Sequence, residues 1–284
     1  MARLFDKALA YRPPSGNNRN LFTELQEGLQ WATPLVCDDL LPYAPDDTDF
    51  SALSGVRVPW PLAFVEWRNN QGIELGVTAF EVDADVVHGG PPPNGATRTI
   101  VMRGMSARRK SDQVLAWADG IDIDVTENGD VVDYNIRFLD PDFERDLAAD
   151  PDRAKTMIRD LIGIAHLAGW FLMAANAKNI EIEPVEPSAG LSRNWRRKTG
   201  QPLHSYNRVL LPHDARSGSS RRSGGAPAPL EIVKGHFKTY DDQRPLFGKL
   251  TGTWWWAPFA RGDASAGVRE HDYAFGPEAP DGNS

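Results

Sequence analysis

His236 stands between Gly235 and Phe237, with Lys234 and Lys238 two residues to either side. Side chains alternate along a strand, so Lys234, His236 and Lys238 would share one face, opposite Val233, Phe237 and Thr239. Cations around an imidazole can grip a phosphate, and the imidazole can then serve as a general acid or base in phosphodiester cleavage. The same residues also suit phosphate binding without chemistry, or a neutral histidine hydrogen-bonded in a half-exposed sheet. Lys249 extends the cationic series, and a second cluster lies upstream in Ser192-Arg193-Asn194-Trp195-Arg196-Arg197-Lys198. There Arg196 and Arg197 would meet phosphates and Trp195 would offer a stacking face.

Other chemistry is sparse. Asp122 and Asp124 fall on one face of a strand, where two carboxylates can hold a metal. An EF-hand is excluded because Glu127 occupies the loop position that needs glycine, so solvent-facing acids on an edge strand are the preferred reading. The lone cysteine, Cys37, sits beside Asp38 and Asp39, which oppose thiolate formation and favour an inert, buried thiol. There is no phosphate-binding glycine loop and no nucleophile elbow, and the six histidines show no metal-ligand spacing. No cofactor and no metal are expected, and the residues leave open whether the chain is an enzyme.

The elements that must position these groups follow from periodicity. Leu230 to Tyr240 and Leu250 to Trp256 read as strands joined by a polar turn at Asp241–Arg244, in a stretch where aromatic rings and cations interleave. Such rings can stack on bases or pack on one another as an ordinary small sheet. Tyr206 to Leu211 reads as another strand. Ser217 to Gly225, with Arg221 and Arg222, has the low complexity of a disordered insert, and the residues after Gly262 read as a flexible tail.

Further upstream, residues 1–20 read as a polar loop or arm, followed by a short helix from Leu21 to Trp31 and an irregular stretch from Val36 to Pro61. Strands are expected at Leu62–Arg68 and Ile73–Val82 across an Asn69-Asn70-Gln71-Gly72 turn, and again at Thr97–Arg103. Ile121 to Phe138 alternates apolar and polar residues on both sides of Asn128-Gly129, which reads as a type I′ hairpin with one buried face. Asp140-Pro141-Asp142 and Asp150-Pro151-Asp152 are helix starts. Met157 to Ala177 is apolar almost all round, as a central buried helix is, and Asp160 and His166 interrupt it too soon for a membrane span. Leu161, Ile164, Leu167 and Phe171 are its expected buried positions. Ile180–Glu183 reads as a short strand. The expected fold is α+β: a largely antiparallel sheet packed on a buried central helix, with a β-rich basic C-terminal region.

Charge divides the chain in the same way. Residues 1–190 carry 17 Lys and Arg against 30 Asp and Glu, residues 191–261 carry 13 against 4, and the remainder 1 against 5. This gives an acidic α+β domain over 1–190, a basic aromatic region over 191–262 packed on it, and a tail over 263–284. A basic segment in an acidic chain implies an anionic partner, or docking of one part on the other. A single cysteine and a polar N-terminus fit a cytoplasmic protein with no membrane partner.

The pattern Lys-Gly-His-Phe-Lys-Thr-Tyr, Pro-Leu-Phe-Gly-Lys and Gly-Thr-Trp-Trp-Trp-Ala-Pro in the last third of the chain resembles the C-terminal segment of uncharacterised proteins from bacterial and phage genomes. The resemblance implies a mobile-element context and no activity. The leading expectation is a non-enzymatic accessory protein that binds DNA or RNA. The alternatives are a phosphodiester-cleaving enzyme or toxin using His236, and an acidic module or inhibitor that binds a protein partner.

Overall fold

The computed structural model describes residues 2–13, 18–45, 48–108, 111, 113–212, 229–233, 235–261 and 263–268. Its elements, in order, are α1 (Leu4–Ala10), α2 (Asn18–Leu29), β1 (Thr33–Val36), β2 (Ala63–Arg68), β3 (Ile73–Asp83), α3 (Ala84–His88), β4 (Arg98–Arg108), β5 (Leu115–Val125) and β6 (Val131–Phe138). There follow α4 (Pro141–Ala148), α5 (Pro151–Asn176), β7 (Glu181–Val185), α6 (Ala189–Thr199), β8 (Tyr206–Leu210), β9 (Pro229–Val233), β10 (His236–Tyr240), β11 (Gly252–Trp256), β12 (Phe259–Arg261) and β13 (Asp263–Val268). The expected insert at Ser217–Gly225 lies outside the described residues.

Two units are distinguished: Met1–Pro212 with Phe237–Trp255, and His213–His236 with Trp256–Ser284. The first is built on an eight-stranded sheet in the order β6-β5-β4-β3-β2-β1-β8-β7. It is antiparallel except where β1 runs parallel to β2 and to β8. Pro184 sits in β7, at the sheet edge where a residue without an N–H is tolerated. In the second unit β9 pairs antiparallel with β12 and parallel with β13. β13 occupies a stretch whose composition reads as tail.

The fold is the expected α+β arrangement, with the long helix α5 central to the core. Asp140 and Asp150 cap α4 and α5 by accepting from Asp142 and Arg153 backbone N–H groups, and proline follows each cap. Over half of α5's apolar window is buried inside the molecule, as a core helix requires. Phe171 and Leu161 are buried as expected, whereas Ile164 and Leu167 are only half-buried at the rim of the cluster. The Trp170 ring packs edge-on against Phe171, Phe237 and Trp255.

The sheet also has a second covered face. Leu4, Phe5, Ala8, Phe22 and Leu29 of α1 and α2 pack with Phe64, Met105 and Ala107 beneath them. Neighbouring residues Phe64 and Val65 are therefore both fully buried, in opposite layers. The first twenty residues are thus not a loose polar arm over α1. Lys7 is buried and lies 2.5 Å from Glu74, and Glu66 accepts from the Phe5 N–H and from Arg3, at 3.0 and 3.2 Å.

Two local expectations are corrected. In the β5–β6 turn only Gly129 has a positive φ, and the Gly129 N–H donates to the Thr126 carbonyl, so the turn is not type I′. Asp122 and Asp124 are buried on β5, an interior strand between β4 and β6, rather than solvent-facing on an edge.

Candidate nucleic-acid interface

A cleft of about 910 Å³ opens between α1, α2 and the β1–β8–β7 side of the sheet. Its wall is fixed from the sequence upward. Gln26 on α2 donates to the carbonyls of Ala8, Leu9 and Tyr11, which ties the end of α1 to α2. Asp6 on α1 is buried and accepts from the His204 backbone N–H at 2.9 Å, and its Oδ1 lies 3.0 Å from His204 Nδ1. A carboxylate can only accept, so it is Nδ1–H that donates to Asp6, which turns Nε2 away from the carboxylate. The Phe5 ring packs edge-on against the imidazole, and the Arg3 guanidinium lies 4.1 Å over the Tyr206 ring. Arg12 and Arg19, also in the cleft wall, are exposed and form no ion pair among the described residues.

Arg12 is shared with an adjoining hollow of about 290 Å³ lined by Lys7, Trp195 and Lys198. Helix α6 supplies this wall. Ser188 caps its start, Gly200 ends it in the left-handed region at φ 78°, and Arg196, Arg197 and Lys198 fill its last turn. Cations there complement the helix dipole, which is reason enough for their position without a ligand. The Trp195 indole is a different matter: its N–H is buried with no hydrogen-bond partner among the described residues. A buried donor left unsatisfied costs about 1–3 kcal/mol.

The other expected site residues lie elsewhere. His236 begins β10 and is exposed, and Lys238 is exposed with its ammonium 5.1 Å from the Tyr240 ring. Phe237 between them turns inward to Trp170 and Trp255, as strand alternation requires. Lys234 lies outside the described residues, and the expected single strand from Leu230 to Tyr240 is two strands, β9 and β10, in different sheets. Lys249 is exposed in the turn before β11, beside Phe247, which is exposed and has a φ of 53°. Trp195, Arg196 and Arg197 therefore sit together on α6, while Lys238 lies within β10 and Lys249 in the turn before β11. Phe237 and Trp255 belong to the core and offer no stacking face.

Asp122 and Asp124, whose spacing could suit a metal, are both occupied. Asp122 accepts from Arg103 at 2.9 Å and from Arg137 at 2.8 Å, and Asp124 accepts from Thr99 at 2.6 Å and meets His88 Nε2 at 2.9 Å. Among the described residues no cluster of His, Cys, Asp or Glu is arranged to hold a metal ion. Cys37 is buried, and burial pushes its thiol well above the usual value. The sequence offered no sign of the Asp6–His204 pair, whose members are 198 residues apart. No protein-family model matches the chain, and comparison with curated proteins and with solved structures likewise gives no match.

Proposed function

We propose that the protein binds single-stranded nucleic acid along the cleft and the adjoining face of α6. The observation that carries this reading is the half-buried Trp195 side chain lining one hollow together with Arg12, Lys7 and Lys198. Arg196 and Arg197 extend the cationic face along the helix, both exposed and without an ion pair among the described residues. Cations tracking a backbone beside a concave, partly aromatic wall suit a single strand. The test is anisotropy of labelled single-stranded RNA and DNA at about 50 and 200 mM salt, where affinity should fall steeply. Arg196→Ala with Arg197→Ala should flatten the slope of log affinity against log salt by about 0.7 for each phosphate no longer neutralised. No binding at low salt, or an unchanged slope, would remove the proposal.

A second reading, phosphodiester cleavage, is favoured by one observation, and it moves the chemistry from His236 to His204. Asp6 orients the His204 ring so that Nε2 is turned away from the carboxylate, on a residue lining the cleft. In RNA Nε2 would take the proton from a 2′-hydroxyl attacking the adjacent phosphorus; the P–O5′ bond breaks, a 2′,3′-cyclic phosphate forms, and the departing 5′-oxygen takes up a proton from the imidazolium or from water. His204→Ala should then leave RNA affinity nearly intact and slow cleavage by roughly 10²–10⁴-fold. Intact RNA after long incubation with the unaltered protein would leave binding as the sole activity.

A further inference from the structure

On the other side of the first unit, a groove of about 560 Å³ runs between β5, α4 and α5. Its surface is apolar, with Phe143, Met157 and Ile164 half-buried along it and Leu115 64% exposed at one end. Its floor includes the Trp117 ring. That ring lies so close over Gly104 that a Cβ there would come within 1.8 Å of it. The rim is acidic: Asp142, Asp146 and Asp160 are exposed around it.

Asp119 is the residue that turns this groove into a candidate site. It is only 5% exposed and lines the groove, yet no cation lies within ion-pair distance of it among the described residues. A buried carboxylate without a countercharge is costly, and burial accordingly raises its pKa. The other carboxylates do not offer relief. Arg145 lies 3.1 Å from Asp142 and Arg159 lies 3.5 Å from Asp160, both in exposed pairs of little strength, and Asp146 has no ion pair among the described residues.

We propose that this groove docks a basic amphipathic segment of a partner protein, with apolar side chains along Met157 and Leu115 and one lysine or arginine seated against Asp119. Charge selects the occupant. Nucleic acid is repelled by the acidic rim, and a purely apolar segment would leave Asp119 buried without a countercharge. A cationic helix with one apolar face satisfies both surfaces together.

The probe is a fluorescent leucine–lysine peptide with an amphipathic helical pattern, beside a peptide of the same composition in scrambled order. Anisotropy should show the patterned peptide bound at least about tenfold more tightly than the scramble, since only the pattern presents a continuous apolar face. Asp119→Asn should weaken the patterned peptide by about tenfold or more while raising the thermal midpoint, because it removes a buried charge. Leu115→Ser, at an exposed position, should weaken binding with the midpoint unchanged. Equal binding of the two peptides, no binding at low salt, or indifference to both substitutions would overturn the proposal. Concentration-dependent dimerisation abolished by Asp119→Asn would overturn it in favour of a second copy of this chain as occupant.

Discussion

Glu66 lies buried under α1, where it accepts from the Phe5 N–H and the Arg3 guanidinium, and burial raises its carboxyl to about 7 in spite of Arg3. A carboxyl raised in the folded state binds its proton more tightly there than in the unfolded chain. Its contribution to stability is therefore full below the unfolded value and is lost as pH rises through about 7. Between these limits the slope approaches about 1.4 kcal/mol per pH unit. Glu66→Gln keeps an acceptor for the Phe5 N–H and should flatten the stability profile from about pH 5 to 8, measured by urea denaturation. A variant with the parent slope would show that Glu66 is not the titrating group. At this scale the sequence was least informative. Alternation correctly placed Ile121 and Ile123 on one face of β5, but local pattern cannot show whether the opposite face meets water. Asp122 and Asp124 are buried because Arg103 and His88, distant in sequence, come to meet them.

At the scale of elements, the strongest local signals survive folding. The helix starts at Asp140 and Asp150 were legible, as were β2, β3, β6 and parts of β4 and β5, because proline, capping side chains and two-residue alternation act within a few residues; residues 104–108 and 115–120, which complete β4 and β5, fall outside the expected strands. Failures occur where tertiary context decides. Leu230 to Tyr240 is continuous in its strand-forming residues, yet it divides near Gly235 because its halves pair with different partners. Helix α5 is apolar almost all round, so its sequence does not say which residues face the sheet. The structure ranks them: Phe171 is fully buried against Trp67 and Trp170, while Leu167 sits at the edge of the cluster. Phe171→Ala should cost about 3–5 kcal/mol, and Leu167→Ala less than the roughly 2–5 kcal/mol of a fully buried leucine. Chemical denaturation of both variants checks the order, and equal losses would contradict the packing.

Across the first unit, one sheet separates two apolar layers, and the outer layer depends on residues that read as a loose arm. The heptapeptide Leu-Phe-Asp-Lys-Ala-Leu-Ala is short, and it buries Asp6 and Lys7 as well as Leu4, Phe5 and Ala8. Its charged residues are what hid it: buried polar groups look like surface until their partners, His204 and Glu74, are brought across from other elements. Removing residues 1–12 therefore does more than trim a terminus. Leu4 and Phe5 would each forfeit about 1.5–3 kcal/mol of burial. Glu66 would lose Arg3, and Glu74 would lose Lys7 and keep only Arg68 at 3.5 Å; breaking a buried pair by removing one partner costs about 3–5 kcal/mol. These losses together reach the whole stability of an ordinary domain, about 5–15 kcal/mol. The truncated protein should consequently lose its cooperative thermal transition and bind a hydrophobic dye through exposed Phe64 and Met105. A sharp transition near the parent midpoint would show that α1 is dispensable and that the second layer stands without it.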